Sequence, residues 1–438
     1  MKKVYKFIYQ CHKWFGIPLA LMFIMWYCSG IVMMYHGFPR LRPAYMPIEK
    51  VDPATLSSLW ETAPDTIGYC KFSFSGKRLQ LSVDGETLGG YVPDSSDLES
   101  IADAFGTTVQ RVDTLQDIDK WIPFDNLMRH LPIYRIVGED DSFTYVSSHT
   151  GEVLQHASLS QRRWAWVGAL PHYVYITPIR RDAKLWRSVV IWMSGLSTIS
   201  VIFGIIIAIR FLIKKKKLNL FKKRSWQWHY SWGLFFGLFM LAFIFSGMMS
   251  LADIPDWIMK SRPLAEEGRF KICKTEVDIS TLPEEFGQVS LTTFPQIIWN
   301  VVEGKETSVV RASDAPLDFS PDFMTTVIQR QTGEHVENVT PIGDDIYYNT
   351  STKQGFRADT KNFTVYWNEK GYYRVLDSKQ KMQYICYRFL HTMKIPGLKN
   401  VGWLHSLYMW IILLGGLVIV GTGTVLSVKS SFLKISRP

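Results

Sequence analysis

Four of the ten histidines in this sequence occupy matching positions in its two halves, at or near the ends of long apolar runs. They are His12, His172, His229 and His391. A histidine at membrane depth is costly and normally faces the interior of a helix bundle. Two neutral imidazoles that face each other across a bundle can bind haem iron from both sides. We therefore predict two sites of this kind, one from His12 and His229 and the other from His172 and His391.

Histidine also binds zinc and copper, and it also occurs in the aromatic belt at a membrane surface. Stable zinc and copper sites use several ligands that include Cys, Asp or Glu, and the apolar runs contain almost no carboxylate. For a single histidine the aromatic belt is the simpler explanation. Four histidines at matching positions favour a bound cofactor, and haem with two axial ligands fits these residues better than a metal ion alone.

Two further histidines are alternates at the second site. Both His405 and His36 are expected near the same membrane face as His172 and His391. We rank His405 after that pair and His36 last. Haem propionates bind cationic side chains at an interface. The candidates for this role are Lys13, Arg187 and Arg388. Snorkelling of these long side chains to the membrane surface explains them equally well.

The elements that carry these residues are four apolar runs with almost no charge inside them. Each run is long enough for a helix to cross a hydrocarbon core of about 30 Å. We therefore predict an α-helical membrane protein. Its transmembrane helices are expected at about 14–36 (within an N-terminal region 1–39), 188–213, 228–251 and 401–428. The intervening segments 40–187 and 252–400 are each long enough for a small domain.

Basic residues indicate the orientation of the chain. They concentrate in the linker 214–227 and recur in the C-terminal tail 429–438. Because short loops rich in Lys and Arg stay in the cytoplasm, we expect the linker and both chain ends to be cytoplasmic. The two large segments then lie on the opposite side. The net charge of +10 is largely explained by these anchoring clusters, so we predict the lipid membrane and no nucleic acid as a partner.

The sequence repeats itself after about half its length, which is a strong indication of architecture. The first and third runs share His, Gly and Ser at a constant offset of 217 residues, as His12, Gly16 and Ser29 recur at His229, Gly233 and Ser246. The second and fourth runs share another spacing. His172 precedes Gly204 by 32 residues, and His391 precedes Gly423 by the same 32. An internal duplication would produce both matches.

Each large segment also contains a β-hairpin pattern. Phe143 to Val153 predicts a hairpin with a Thr-Gly turn, and Thr364 to Val375 predicts another that turns at Asn368 to Gly371. A helical pattern precedes each hairpin. We therefore expect two α+β domains outside the membrane, one in each copy of the repeat.

Several motifs are absent from the sequence. It has no GxGxxG fingerprint after a strand, no P-loop, no GxSxG and no HExxH. These absences argue against a self-contained nicotinamide or flavin reductase, and electrons are expected from membrane quinol or from a separate cytoplasmic flavoprotein. The sequence has no CxxCH for covalent haem attachment. It leaves open whether Cys70, Cys273 or Cys386 form a disulfide.

Three short motifs surround the repeated histidines. They are His12-Lys13-Trp14-Phe15-Gly16 with Ser29-Gly30, the repeat of this motif at 229–233 and 246–247, and Leu390-His391-Thr392. Through them the whole chain resembles the PepSY-associated transmembrane helix family, which includes periplasmic ferrisiderophore reductases of the bacterial inner membrane. The stretch 134–153 also resembles a PepSY module, whereas the second hairpin lacks the Thr before Gly371.

The resemblance implies a bacterial inner-membrane protein with two haem b groups and with its large domains in the periplasm. It implies that electrons pass outward to ferric iron or a ferrisiderophore for iron uptake. Because the oxygen donors of siderophores prefer Fe(III), reduction to Fe(II) would release the metal. Two alternatives stay open, since a fold can host several functions. They are a non-catalytic PepSY protein that regulates an envelope protease or another partner, and a transporter of haem or iron.

Overall fold

The structure is a computed structural model that describes residues 2–43, 46–265, 271–343, 345–348, 354–395 and 401–435. The chain forms two compact units. We call them the helical unit, which contains Met1–Phe38, Arg163–Met259 and Gln380–Pro438, and the β unit, which contains Pro39–Arg162 and Lys260–Lys379. Each unit is therefore assembled from segments that are distant in the sequence.

The helices in the described part of the chain vary widely in length. They are α1 (Lys2–Met33), α2 (Pro53–Glu61), α3 (Ser95–Ala104), α4 (Leu159–Val167), α5 (Ala169–His172), α6 (Thr177–Arg180), α7 (Ala183–Lys215), α8 (Arg224–Leu251), α9 (Pro321–Thr332), α10 (Ser378–Ile385) and α11 (Gly402–Ile435). Four of them, α1, α7, α8 and α11, are long and apolar enough to cross a membrane. The prediction of four helices of this kind is confirmed.

Three of these helices begin before the predicted residue, and α1 ends at Met33 instead of at about 36. The helix α1 begins at Lys2 because the basic residues before the apolar run are themselves good helix formers. The helix α7 begins at Ala183, where the carboxylate of Asp182 accepts hydrogen bonds from two backbone N–H groups of the first turn. The helix α8 begins at Arg224. The linker between α7 and α8 is consequently shorter than the predicted 214–227.

Short helices lead into α7 and α11. The helices α4, α5 and α6 precede α7, and α10 continues into a π-helical segment, Cys386–His391, ahead of α11. Nearly all of these residues belong to the helical unit. Of the predicted segments 40–187 and 252–400, the β unit takes Pro39–Arg162 and Lys260–Lys379, and the residues that lead into α7 and α11 belong to the helical unit.

The strands in the described part form three larger sheets and two short pairs. They are β1 (Glu49–Lys50), β2 (Thr66–Ile67), β3 (Cys70–Ser75), β4 (Arg78–Val83), β5 (Glu86–Leu88), β6 (Val109–Leu115), β7 (Ile133–Gly138), β8 (Phe143–Ser147), β9 (Val153–Ala157), β10 (Ile272–Cys273), β11 (Glu285–Phe286), β12 (Gln288–Thr292), β13 (Ile298–Glu303), β14 (Glu306–Arg311), β15 (Val336–Pro341), β16 (Phe356–Thr360), β17 (Thr364–Trp367) and β18 (Tyr373–Leu376). The sheet orders are β14-β13-β12-β3-β4-β5, β6-β7-β8-β9 and β15-β16-β17-β18, and the short pairs are β1 with β11 and β2 with β10.

The six-stranded sheet contains strands from both large segments. The strands β3 and β12 pair antiparallel, with Phe72 opposite Val289. The core beneath them is also shared, because Trp60 and Phe72 of the first segment pack against Trp299 of the second. The two segments therefore complete one sheet and bury one apolar core, which the sequence did not predict.

This sheet also constrains the topology. Paired strands must lie on the same side of a membrane, and α7 and α8 separate β3 from β12 in the sequence. The chain between the two strands must therefore cross a membrane an even number of times. Two spanning helices, α7 and α8, satisfy that condition.

The other two sheets are four-stranded antiparallel meanders with the same strand order. Each contains a predicted hairpin. The strands β8 and β9 pair around a turn that includes Gly151, whose φ is +67°, and β17 pairs with β18 around Gly371, whose φ is +73°. Glycine adopts these backbone angles without strain. A helix precedes each sheet, α3 before the first and α9 before the second. Both hairpin predictions are confirmed.

A partly buried carboxylate links neighbouring strands in the first meander. The Tyr145 hydroxyl donates a hydrogen bond to Asp119 at 2.8 Å, and Nη1 of Arg135, which lies opposite Tyr145 on β7, donates to the same carboxylate oxygen at 3.2 Å. Arg135 also donates to Asp113 at 2.7 Å. This hydrogen bond from Arg135 lowers the pKa of Asp113 below its ordinary value.

The second meander contains the same arrangement. Tyr366 donates to Asp345 at 3.0 Å, and Nη1 of Arg357, opposite Tyr366 in the neighbouring strand, donates to that carboxylate at 3.1 Å. The two sheets therefore match in detailed contacts as well as in strand order. Tyr145 and Tyr366 occupy equivalent positions in these contacts.

Candidate cofactor sites

His12 on α1 and His229 on α8 lie opposite each other in the helical unit. Their ring centres are 6.2 Å apart, and the ring planes are inclined by 38°. Both side chains are partly buried. The structure thus brings together the two histidines of the first predicted pair.

A backbone carbonyl orients each of these imidazoles. Nδ1 of His12 lies 2.8 Å from the carbonyl oxygen of Ser200 on α7, and Nδ1 of His229 lies 3.0 Å from that of Ile419 on α11. A carbonyl can only accept a hydrogen bond, so Nδ1 must be the protonated nitrogen in each ring. Nε2 then carries the free lone pair that a metal ligand requires.

A glycine faces each imidazole. A Cβ atom at Gly204 would lie 2.6 Å from Cε1 of His12, and one at Gly423 would lie 3.0 Å from Cε1 of His229. Side-chain atoms cannot approach so closely without a shift of the ring. The two glycines at the predicted 32-residue spacing therefore leave room for the rings of this pair.

A cavity of about 710 Å³ surrounds the His12–His229 pair. Its volume falls within the roughly 300–1,000 Å³ typical of cofactor sites. Many of the residues that line it are small or apolar, including Gly16, Ala20, Gly233 and Gly237. A flat macrocycle fits between helices where such residues line the space.

Three lysines also line this cavity, namely Lys13, Lys222 and Lys223. Lys13 is one of the predicted propionate partners. The position of Lys222 and Lys223 at a cavity was not predicted, because the membrane orientation of the chain already explained the basic residues of the linker. The short linker in the structure brings both to the cavity, where they can bind an anionic group.

His172 and His391 form the second pair. Their ring centres are also 6.2 Å apart, and the ring planes are inclined by 60°. His172 is the last residue of α5, and His391 is the last residue of the π-helical segment. Short π-helical turns are rare and often occur at functional sites.

A serine holds each imidazole of the second pair. Nδ1 of His172 lies 3.2 Å from Oγ of Ser29. Nδ1 of His391 lies 3.2 Å from Oγ of Ser246 and 3.0 Å from the carbonyl oxygen of Phe243, so it donates to both. Each serine hydroxyl donates its own hydrogen to a backbone carbonyl three residues earlier. The serine oxygen is therefore the acceptor and Nδ1 the donor, so Nε2 again has the free lone pair.

The backbone turns sharply after each of these histidines. Val174 has φ 55° and Met393 has φ 47°, and each stands two residues after its histidine. Residues other than glycine rarely adopt positive φ, and a β-branched residue does so only under strain. The same unusual conformation at both positions ends the helical turn that carries the imidazole.

Burial lowers the pKa of both imidazoles of the second pair, which favours their neutral form. Desolvation, together with the nearby His391, lowers the pKa of His172 to about 4. Desolvation also lowers the pKa of His391. Neutral imidazole is the form that binds a metal ion.

The alternate histidines lie elsewhere. His36 stacks on Trp164 with ring centres 4.2 Å apart, and Nε2 of His405 lies 2.9 Å from the carbonyl oxygen of Thr392. That Nε2 must donate to the carbonyl, so the free lone pair of this ring lies on Nδ1. The structure therefore places neither alternate in the second pair.

The two other cationic candidates contact neutral groups. Nε of Arg187 donates to the carbonyl of Leu251 at 2.6 Å, at the end of α8. Nε of Arg388 donates to the Tyr384 hydroxyl at 3.1 Å. Their role as propionate partners stays a prediction.

The two pairs lie at different depths along the bundle. Ser29, which contacts His172, follows His12 by 17 residues on α1, a distance of about 26 Å at the rise of an α-helix. Aromatic rings occupy part of the space between. Tyr27 packs against Phe243 at 6.5 Å, and Phe243 packs against His391 at 6.3 Å. The Tyr27 hydroxyl is buried and has no hydrogen-bond partner among the described residues.

No further metal site is present in the described part of the chain, which contains no group of three or more His, Cys, Asp or Glu that could hold a metal ion. All five cysteines are free thiols, so Cys70, Cys273 and Cys386 form no disulfide in this structure. Desolvation raises the pKa of Cys70 to about 12, which leaves that thiol unreactive.

No model of a known protein family matches the chain, and no curated protein matches it. The candidate sites are therefore two pairs of oriented imidazoles at two depths of a four-helix bundle.

Proposed function

We propose that this protein binds two haem b groups in its helical unit and passes electrons across a membrane. The observation that carries the proposal is the equal separation of the two histidine pairs, 6.2 Å between ring centres in each. Bonds from a metal to imidazole nitrogen are about 2 Å long. An iron ion held between two imidazoles then needs ring centres roughly 6 Å apart, which both pairs satisfy.

Haem would supply a one-electron carrier at each site. Residues of the protein would orient the ligands and keep them in the form that binds iron. Nδ1–H of His12 and of His229 is held by a carbonyl, so both rings keep their orientation and Nε2 stays unprotonated. Such outer hydrogen bonds raise the basicity of a ligand and fix its tautomer. The small and apolar residues of the cavity wall would contact the faces of the macrocycle.

An internal duplication accounts for the arrangement of both pairs. Each histidine of a pair contacts the equivalent neighbour in its own half, a glycine at the first site and a serine at the second. The matching meanders with their Asp–Arg–Tyr contacts support the same origin. We assign both meanders to PepSY-like modules of one β unit, as the family resemblance suggests.

The bacterial inner membrane is the location that we propose. The chain ends and the linker between α7 and α8 would be cytoplasmic, and the β unit would be periplasmic. The lysines of the cavity around His12 and His229 then face the cytoplasm. Electrons would enter at this site from quinol or from a cytoplasmic flavoprotein and would leave at the site of His172 and His391.

Ferric iron or a ferrisiderophore is the electron acceptor that we propose. The hard oxygen donors of siderophores bind Fe(III) more strongly than Fe(II). Transfer of one electron would therefore weaken the complex and release the iron for uptake. The protein would act as a haem-dependent ferric reductase.

The proposal is tested by a pyridine haemochrome assay on protein purified in detergent from haem-replete cells. We expect about two haems per chain and a low-spin spectrum typical of two histidine ligands. Replacement of His12 and His229 by Ala should remove one haem and keep the other. Replacement of His172 and His391 should remove the second.

Colourless wild-type protein would overturn the proposal. It would favour the non-catalytic alternative, in which the PepSY-like modules bind an envelope protease or another partner. A protein with two haems that never transfers electrons, yet moves haem or iron across a membrane, would instead be a transporter.

A further inference from the structure

A groove of about 730 Å³ runs between α1 and α7 on the surface of the helical unit. Its apolar part is formed by Val4 and Ile8 of α1 and by Ile206, Ile209 and Ile213 of α7. None of the residues that line the groove lines the cavity around the first histidine pair. The groove is therefore separate from the candidate cofactor sites.

The apolar part of the groove faces outward from the bundle. Ile206, Ile209 and Ile213 are spaced three and four residues apart, so they share one face of α7. They are between 40% and 69% exposed, and Val4 across the groove is 62% exposed. Both helices are long and apolar enough to cross a membrane. Outward-facing apolar side chains of a spanning helix contact the acyl chains of lipids.

Two cations line the same groove. The guanidinium of Arg210 lies over the ring of Tyr5, 4.3 Å from its centre, and both residues line the groove. A cation–π contact of this kind holds the guanidinium in place. Lys214, one helical turn further along α7, is the second cation of the lining.

The protein supplies no anion for these two cations. Neither α1 nor α7 contains Asp or Glu, and the linker between α7 and α8 contains none either. Among the described residues, neither Arg210 nor Lys214 forms an ion pair with a carboxylate. Two cations without a protein counter-ion give the groove a positive potential that attracts an anion.

The groove changes from apolar to cationic along its length. The helices run antiparallel, because His12 contacts Ser200 whereas Tyr5, nearer the start of α1, contacts Arg210, nearer the end of α7. Lys214 follows Ile206 by eight residues, a distance of about 12 Å at the rise of an α-helix. The apolar end thus points into the span, and the cationic end lies where α7 meets the basic linker.

We propose that this groove binds one anionic phospholipid, with its phosphate on Arg210 and Lys214 and an acyl chain along Ile206 and Ile209. Basic pockets between spanning helices bind anionic lipid headgroups. The inference rests on the long helices crossing a membrane and does not require bound haem. It therefore goes beyond the function proposed above.

The charges of the groove select the lipid class. An anionic phospholipid such as phosphatidylglycerol brings one net negative charge to two cations. Phosphatidylcholine carries its own cation, which opposes the potential of Arg210 and Lys214. A quinol has no charge, so it gains nothing from either side chain. Acyl chains alone would not distinguish these ligands, because the apolar part of the groove accepts any of them.

The proposal is tested by native mass spectrometry on the full chain after lipids have been exchanged for detergent. Dioleoyl phosphatidylglycerol should bind more tightly than dioleoyl phosphatidylcholine, which has the same acyl chains. Arg210→Gln and Lys214→Gln should each weaken binding of phosphatidylglycerol about fivefold, as expected for one charge at a membrane surface. Binding of phosphatidylcholine should change little in either variant.

A matched control separates the groove from the general basic character of this end of the bundle. Lys6→Gln combined with Lys215→Gln removes two charges from the same two helices, and neither residue lines the groove. This double variant should bind phosphatidylglycerol as the wild type does. A loss equal to that of Arg210→Gln with Lys214→Gln would overturn the proposal, because it would reflect a diffuse positive surface.

A second variant tests the apolar part with both cations intact. Ile209→Trp should fill the groove and weaken phosphatidylglycerol binding, whereas Trp192→Ile, at an exposed position of the same helix outside the groove, should not. Wild-type affinity in Ile209→Trp would overturn the proposed seat of the acyl chain. Each variant must elute as a single species in detergent and melt as the wild type does, which shows that the helices are intact.

Other occupants of the groove give different results. Equal affinity for phosphatidylcholine and phosphatidylglycerol would show that the cations do not select the lipid. A neutral quinone that displaces phosphatidylglycerol and binds Arg210→Gln as it binds the wild type would assign the groove to quinone. A dimer that Ile209→Trp dissociates would assign it to a second copy of the chain. Each result would overturn the lipid site, and none of them bears on haem content, which tests the proposed function separately.

Discussion

The imidazole of His12 lies against Gly204 so closely that a Cβ atom there would be 2.6 Å from Cε1 of the ring. Gly204→Ala should therefore push the imidazole away from its carbonyl partner and out of line with His229. We expect loss of the haem at that site, measured as haem per chain falling from two to one. Gly195→Ala is the matched control on the same helix, because its Cβ would meet only Met248 at an ordinary 3.6 Å. Full haem content in Gly204→Ala would contradict the close fit.

The serine hydroxyls at the second site should increase the affinity for haem. Loss of an outer hydrogen bond to a metal-bound histidine lowers affinity by about 10–100-fold. We expect Ser29→Ala and Ser246→Ala each to weaken haem binding at the second site within that range, measured by competition with a haem-binding protein. Ser250→Ala is the control, because this exposed hydroxyl donates only to the carbonyl of Gly247. Equal affinity in all three variants would argue against a role for the serines.

Removal of the unpaired hydroxyl of Tyr27 should stabilise the helical unit. A buried polar group without a partner costs about 1–3 kcal/mol, and the hydroxyl of Tyr27 is buried without one among the described residues. Tyr27→Phe should raise the free energy of unfolding, seen as a higher melting temperature in detergent. Tyr35→Phe should not, because Trp410 donates to that hydroxyl at 3.0 Å. A lower melting temperature for Tyr27→Phe would reveal a partner for its hydroxyl.

Acid should weaken the first meander through Asp113. The hydrogen bond from Arg135 lowers the pKa of this carboxyl in the folded protein. A depressed folded pKa stabilises the protein above the unfolded pKa of about 3.9, and that stabilisation disappears as the pH falls through the folded value. Asp113→Asn should therefore lower stability at pH 7, by about 1 kcal/mol for a pair this exposed, and should not do so in strong acid.

Urea unfolding at several pH values measures this difference. Glu99→Gln, on an exposed face of α3, is the control and should unfold as the wild type does. A destabilisation by Asp113→Asn that persists undiminished in strong acid would contradict the assignment to the ion pair.

The sequence predicted the four long helices, both hairpins and the four histidines that face each other. These features depend on local patterns, since apolar length specifies a spanning helix and a turn residue specifies a hairpin. The repeat then indicated which histidines share a site. Ser29 and Gly204 were visible as repeated residues, but their contacts with imidazoles required the packing of the helices.

The pairing of β3 with β12 could not be predicted. Strand partners that are distant in sequence leave no local pattern, and the two segments look like independent domains because each contains its own helix and hairpin. The lysines at 222 and 223 were missed for a different reason. Their charge had a sufficient explanation in membrane topology, and only the short linker reveals that they reach a cavity.

The shared six-stranded sheet imposes an order on the biogenesis of the protein. The strand β3 ends at Ser75, and its partner β12 begins at Gln288, 213 residues later. At translation rates of about 5–20 residues per second, synthesis of these residues takes roughly 10–40 s. During that time one edge of β3 has no partner strand. Exposed edges of this kind recruit other strands. The nascent chain therefore needs a chaperone, or rapid insertion of α7 and α8, until its own second half arrives.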